Sequence, residues 1–237
     1  MTHALNELKN IEPVKNFSEA FANQNKNIIL IIGENTNRLH LSLYGYERKT
    51  TPLLDKRSDL KVLMNAYAPR PNTIESLQQV LTFADQNHPD LYKNKSSIIA
   101  LMKQAGYHTY WISNQQTLTK RNTMLTAFSK LADEQVYLNT SREQNSYSFD
   151  EKIIEPFKQA ISDHHQKKFI VLHMLGTHMS YKYRYPDTFN YFQSEDDLDP
   201  NLSSVAKMRV NEFDNAIRYH DSILNQLLDI IQQQPPP

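Results

Sequence analysis

Residues 27–33 read Asn-Ile-Ile-Leu-Ile-Ile-Gly. The apolar run is continuous instead of alternating, it is short, and it stops at a glycine. A strand buried on both faces, as in a parallel sheet, has this form. Two later stretches read as further strands: 107–113 (YHTYWIS), aromatic and β-branched, and 169–175 (FIVLHML). Between them the spacing turns helical. Ile74, Leu77, Leu81 and Ala84 recur at helical intervals over 73–84, and Thr73 stands where a cap belongs. Further helices are predicted over 96–105 (stopped by Gly106), 118–131, 150–163 and 205–233. Strands alternating with helices predict an α/β sandwich around a mostly parallel sheet.

The rest of the chain fits around that frame. Residues 1–26 are a polar lead-in, partly helical at best, and 235–237 are a proline tail. Residues 181–186 form an aromatic loop, and 193–204 are acidic, polar and broken by Pro200, hence a surface loop. With 237 residues, one sizeable core is affordable and two independent domains are not. Basic and acidic residues number 26 each, so no basic excess points to a general binder of nucleic acid or of a membrane surface. Cysteine is absent, which excludes a disulfide scaffold, a thiolate zinc site and a cysteine nucleophile. No stretch approaches the roughly 20 apolar residues of a membrane span, and no basic-then-apolar leader opens the chain, so it reads as soluble.

Ligands gather at the carboxyl ends of strands in open α/β sheets. The first strand runs into Glu34, and the third into His173, Gly176, Thr177 and His178. By residue type alone, Glu34 is a solvated loop carboxylate or a site group. His173, inside the apolar run, reads as a satisfied core histidine. His178, in the loop, is as consistent with a ligand as with a surface residue.

The wider pattern goes further. Ile31-Ile32-Gly33-Glu34-Asn35-Thr36-Asn37-Arg38, followed by Leu43-Tyr44-Gly45-Tyr46, resembles the opening motif of phosphoethanolamine transferases in the alkaline-phosphatase/sulfatase superfamily. Ala68-Pro69-Arg70-Pro71-Asn72-Thr73-Ile74-Glu75-Ser76-Leu77 is similar to their nucleophile segment, and Gly176-Thr177-His178 with Arg184-Tyr185-Pro186 to a later one. A fourth match, Phe213-Asp214-Asn215-Ala216-Ile217-Arg218-Tyr219 with Asp221, looks structural. The likeness spans about residues 27–230.

The resemblance implies a sulfatase-like catalytic domain over 27–234, with Glu34 and Thr73 as zinc ligands. Thr73 would be the nucleophile and His178 an active-site histidine that contacts a second metal or the substrate phosphate. It also implies substrate contacts near Asn114 and Gln115. The reaction implied is transfer of phosphoethanolamine from phosphatidylethanolamine to lipopolysaccharide through a covalent threonine intermediate. Residues 72–85 and 111–116 look most like the branch acting on core heptose; the lipid A branch usually carries disulfides, which this chain cannot form. Trp111 and Tyr181–Tyr185 are candidate linings for a lipid or sugar surface, or core residues. An intact relative would sit in the inner membrane with this domain in the periplasm, contacting the membrane only through N-terminal helices.

The pattern also departs from the family. Its Ser-Asp-His-Gly metal strand would follow the last helix, where this chain reads Gln232-Gln233-Gln234-Pro235-Pro236-Pro237. Ser162-Asp163-His164-His165 precedes the third strand and reads as a solvated turn. The expectation is therefore a domain incomplete at its C-terminal end and without membrane helices. Its alternatives are an inactive remnant, or a sulfatase or other phosphoester hydrolase of the same fold. No Cys/Ser-x-Pro-x-Arg motif is present for a sulfatase.

Overall fold

The computed structural model describes residues 2–15, 26–116, 123–141 and 143–234. Four strands form one sheet: β1 (Ile28–Ile32), β2 (His108–Ser113), β3 (Glu134–Tyr137) and β4 (Lys168–His173). Their order is β1-β4-β2-β3, and every pairing is parallel. β4 is central and buried along its whole length, which is why its sequence is a continuous apolar run.

Alternate side chains of β4 build two cores. Phe169 and Val171 face α1 (Thr2–Lys9), α2 (Thr73–Val80), α3 (Ile98–Gln104) and α4 (Thr123–Ser129), joining Leu8, Leu77, Ile99, Trp111 and Phe128. Ile170 and Leu172 face α5 (Ile154–Ser162) and α6 (Ser204–Gln232), joining Ile112, Phe157, Ala216 and Leu227. The result is a helix–sheet–helix sandwich. Each fully buried Leu, Ile or Phe contributes about 1.5–3 kcal/mol by leaving water.

Several boundaries differ from the sequence reading, each for a local reason. β3 escaped it altogether. The 73–84 helix closes at Val80, where the Thr82 hydroxyl turns back onto the Gln78 carbonyl at 2.5 Å. Asp150–Ile153 form a tighter 3-10 turn ahead of α5. The polar lead-in contains α1, whose Leu8 is buried in the first core. The helix expected over 118–131 is found as α4, while 117–122 and the tail 235–237 lie outside the described residues.

Register sets the working edge. Ile32 pairs with His173, His173 with Ser113, and Ser113 with Tyr137. The carboxyl ends of all four strands are therefore level, and the loops leaving them share one side of the sheet.

Candidate active site

At that edge lies a cleft of about 870 Å³ lined in part by Glu34, Thr73, Gln115, Tyr137, His173 and His178. Glu34 leaves the end of β1, followed by Asn35 at φ +55°. Thr73 is the first residue of α2, and Asn72, not Thr73, occupies the cap position. The Thr73 hydroxyl is thus free of helix capping. It donates to Glu34 Oε1 at 2.7 Å. The pairing joins two segments far apart in sequence and sets a hydroxyl at a helix N-terminus, where unpaired backbone N–H groups favour an anion.

Burial pushes the Glu34 carboxyl up, but His173 and the Thr73 hydroxyl, helped by His178, outweigh it and hold it below its ordinary value. Glu34 is therefore an ionised acceptor at neutral pH. His173 is buried, yet its Nε2 has no hydrogen-bond partner and stands 4.0 Å from Glu34 Oε2. This corrects its reading as a satisfied core histidine: its place at the last register position of β4 turns the ring to the site, edge-on to Trp111. His178 is pulled below the usual imidazole value, chiefly by burial and further by Arg184, against the opposing charge of Glu34. Its Nδ1 also lacks a hydrogen-bond partner.

The loop carrying His178 is tied down on both sides. Thr177 donates its N–H and its hydroxyl to the Glu34 carbonyl at 3.1 and 3.0 Å. On the other side the buried Asp150 carboxylate takes Leu175 N–H at 2.8 Å, Gly176 N–H at 2.7 Å and the Asn114 amide at 2.9 Å. Arg184 hydrogen-bonds the backbone carbonyls of His178, Met179, Ser146 and Gln144. Asp150 was missed in the sequence because an aspartate at a helix start reads as a cap.

The two candidate substrate contacts separate. Gln115 lines the cleft and donates to the Met174 carbonyl at 2.7 Å. Asn114 is fully buried, and its amide bridges Asp150 and Ser148, so it faces the protein and not the cleft. Trp111 is buried and lines the cleft, whereas Tyr181 packs on Phe213, Tyr183 on Tyr147, and Tyr185 lies in the core. In the fourth motif, Asp214 accepts from His40, Tyr46 and Arg48, and Asp221 from the N–H groups of Leu53 and Leu54. They tie the segment after β1 to α6.

Asp163, His164 and His165 bring ligand atoms within 4.8 Å of one another, but at the amino end of the sheet, opposite the cleft. Asp163 already takes the Tyr110 hydroxyl and His165 Nδ1, with the Lys168 ammonium 3.6 Å away. Its acceptors serve the turn.

The hydroxyl–carboxylate pair thus stands at the carboxyl edge of a parallel α/β sheet, where ligand sites gather in this class of protein. The chain belongs to the sulfatase family, whose profile it matches over residues 26–237. It is 44% identical over 233 residues to phosphoethanolamine transferase EptC of Escherichia coli (strain K12), covering 96% of this chain and 40% of that protein. It is 48% identical over 217 residues to phosphoethanolamine transferase CptA of Salmonella typhimurium, covering 90% and 38%. Among solved structures, the C-terminal periplasmic domain of EptC from Escherichia coli, in complex with zinc, superposes with a TM-score of 0.89 at 43% identity, covering 93% of this chain and 63% of that one. The chain thus spans about two fifths of the curated relatives' length.

The donor chemistry suits zinc. Glu34 and Thr73 offer hard oxygen atoms, and the unpartnered nitrogens of His173 and His178 are of a type zinc accepts.

Proposed function

We propose that this chain is part of the catalytic domain of a phosphoethanolamine transferase. It would move phosphoethanolamine from phosphatidylethanolamine to lipopolysaccharide, with core heptose favoured over lipid A. The observation that carries this reading is the 2.7 Å bond between Thr73 and Glu34 at the start of α2. A bound phosphate would meet the nucleophilic oxygen and the free N–H groups of the helix start together.

Thr73 Oγ1 attacks phosphorus, its hydroxyl proton already facing the ionised Glu34 Oε1. The new Oγ1–P bond forms as the bond to the diacylglycerol oxygen breaks, and the proton that Thr73 releases ends on that leaving oxygen. His178, held below the usual imidazole value by burial and lining the same cleft, is the base that can accept this proton and hand it on. An acceptor hydroxyl then attacks the phosphorus and frees Thr73. Gln115 is the candidate for orienting substrate. When bound at Glu34 and Thr73, zinc supplies Lewis acidity that lowers the hydroxyl's proton affinity.

The relatives' names support the transferred group, and the absence of cysteine speaks against a sulfatase with a modified cysteine. No helix among the described residues is long and apolar enough to cross a membrane. The reading places the domain in the periplasm, attached to the inner membrane through other parts of the intact protein.

The test is the intact mass of the chain after incubation with zinc and phosphatidylethanolamine. A gain equal to one phosphoethanolamine group, absent in Thr73→Ala, is the expected result. No gain on a folded chain would favour the inactive alternative.

A further inference from the structure

Between the short turn at Leu54–Lys56 and α2, residues 57–72 form neither helix nor strand. Loops are usually polar, but this one presents Leu63, Met64 and Tyr67 to solvent at 60%, 55% and 74% exposure. Leu39, on the facing segment, is 72% exposed. Single exposed apolar residues are ordinary, whereas a cluster on one surface marks an interaction site.

The cluster is held in place. Arg38 donates to the Met64 carbonyl at 2.6 Å and to the Tyr67 hydroxyl at 3.1 Å, with its guanidinium 4.5 Å from the centre of the Tyr67 ring. The Tyr44 hydroxyl reaches the Leu63 carbonyl at 3.4 Å, and the Gln86 amide the Pro69 carbonyl at 2.5 Å. The loop then runs directly into Pro71, Asn72 and Thr73 on the wall of the cleft.

Its charge is net positive although the chain as a whole is neutral. Residues 57–72 carry Arg57, Lys61 and Arg70 against Asp59 alone, and Asp59 is paired with Arg57 at 2.8 Å. Among the described residues, none of Lys61, Arg70 and Arg38 forms an ion pair with a carboxylate. Exposed leucine, methionine and tyrosine flanked by unpaired cations match the surface of an anionic bilayer: apolar groups enter the headgroup–acyl boundary, tyrosine suits the interface, and cations meet phosphates.

We propose that the 57–72 loop, together with Arg38 and Leu39, docks on a phospholipid bilayer with anionic headgroups. Docking brings the mouth of the cleft to the lipid surface. The family resemblance implies membrane contact only through N-terminal helices; the loop adds a second contact, made by the domain itself. Its purpose, access to a lipid donor, rests on the proposed transfer reaction, but the docking does not.

The experiment is co-sedimentation of the chain with vesicles, without zinc or turnover. Vesicles of phosphatidylethanolamine and phosphatidylglycerol are expected to carry the chain down, and those of phosphatidylcholine alone to carry far less. The triple variant Leu63→Ser, Met64→Ser, Tyr67→Ser is expected to lower the bound fraction by about tenfold or more. Lys61→Gln with Arg70→Gln should weaken binding about fivefold per charge at low salt. All the substituted side chains lie on the irregular loop, so unchanged melting temperatures can verify folding. The proposal is overturned if the wild-type chain binds neither vesicle or the triple variant binds as well. It is equally overturned if these residues instead drive dimerisation in the absence of lipid. A chain that binds vesicles yet forms no covalent adduct would remove the transfer reading and leave the docking surface standing.

Discussion

Gly176 and Glu34 pack backbone to backbone: a Cβ built on Gly176 would stand 2.9 Å from both the Glu34 nitrogen and the Glu34 oxygen. Gly176 also sits at φ +58°, a left-handed conformation that L side chains resist. Both facts forbid a side chain where the loop after β4 crosses the loop after β1. Gly176→Ala must therefore shift the peptide of Glu34, the partner of Thr73. The expected cost is about 2 kcal/mol, or a melting temperature lower by ~4–8 °C. Thermal unfolding beside the adduct assay checks this. An alanine variant with unchanged stability and adduct formation would contradict the close crossing.

From the other side of the same loop, Asp150 binds three donors with two oxygens. Asparagine has one acceptor oxygen, and its amide nitrogen would oppose a backbone N–H. Asp150→Asn is expected to destabilise by about 1–3 kcal/mol and to speed amide exchange of residues 33–36 and 174–178 by up to about a hundredfold. Asp221→Asn is the matched control. Its buried carboxylate takes the N–H groups of Leu53 and Leu54 at 2.9 and 3.0 Å, away from the cleft. A smaller fall in melting temperature is expected there, because burial already disfavours the charged form of Asp221, and no faster exchange at 174–178. Equal effects of both variants on 174–178 would reduce Asp150 to general stability.

The reach of sequence reasoning follows from these contacts. β4 was visible because burial on both faces leaves a continuous apolar run; β1 carries the same kind of run, but as an edge strand it is only half-buried, which corrects its reading as a strand buried on both faces. β3 was not: Glu134 and Gln135 begin a four-residue edge strand that exists by pairing with β2. Thr73 and Glu34 were found through motif likeness, since neither residue type announces a site by itself. Asp150 was hidden because its partners are 25, 26 and 36 residues away. His173 was misjudged because hydropathy places it inside a strand, whereas only register places it at the end.

For the proposed chemistry, hydroxyl and carboxylate make separable contributions. Thr73→Ala is expected to abolish the phosphoethanolamine adduct, and Thr73→Ser to keep it, because the oxygen is retained. Glu34→Gln keeps an oxygen but loses the charge. Zinc affinity, measured by competition with a chromophoric chelator, is expected to fall by about tenfold or more. Unaltered zinc affinity in Glu34→Gln would remove Glu34 from the ligand set, whatever the adduct assay gives.

The turn at the opposite end of the sheet predicts an acid response. Burial raises the Asp163 carboxyl, but the Tyr110 hydroxyl and the ring and backbone N–H of His165 more than offset it, holding the group well below its ordinary value. A carboxyl with a lowered folded-state pKa adds stability that is present above its unfolded value, about 3.9. That stability is lost as pH falls through the lower folded value. Asp163→Asn cannot titrate, so its melting temperature should lie below wild type at neutral pH. The gap should narrow as pH drops from about 5 towards about 2. The effect is modest, because the side chain is 21% exposed and solvent screens it. Asp59, Asp85, Asp133 and Asp197 are lowered as well, so both proteins lose stability in acid. The difference between the two curves, not the slope of either, isolates Asp163. A gap that stays constant with pH would mean that its hydrogen bonds to Tyr110 and His165 do not favour the ionised form.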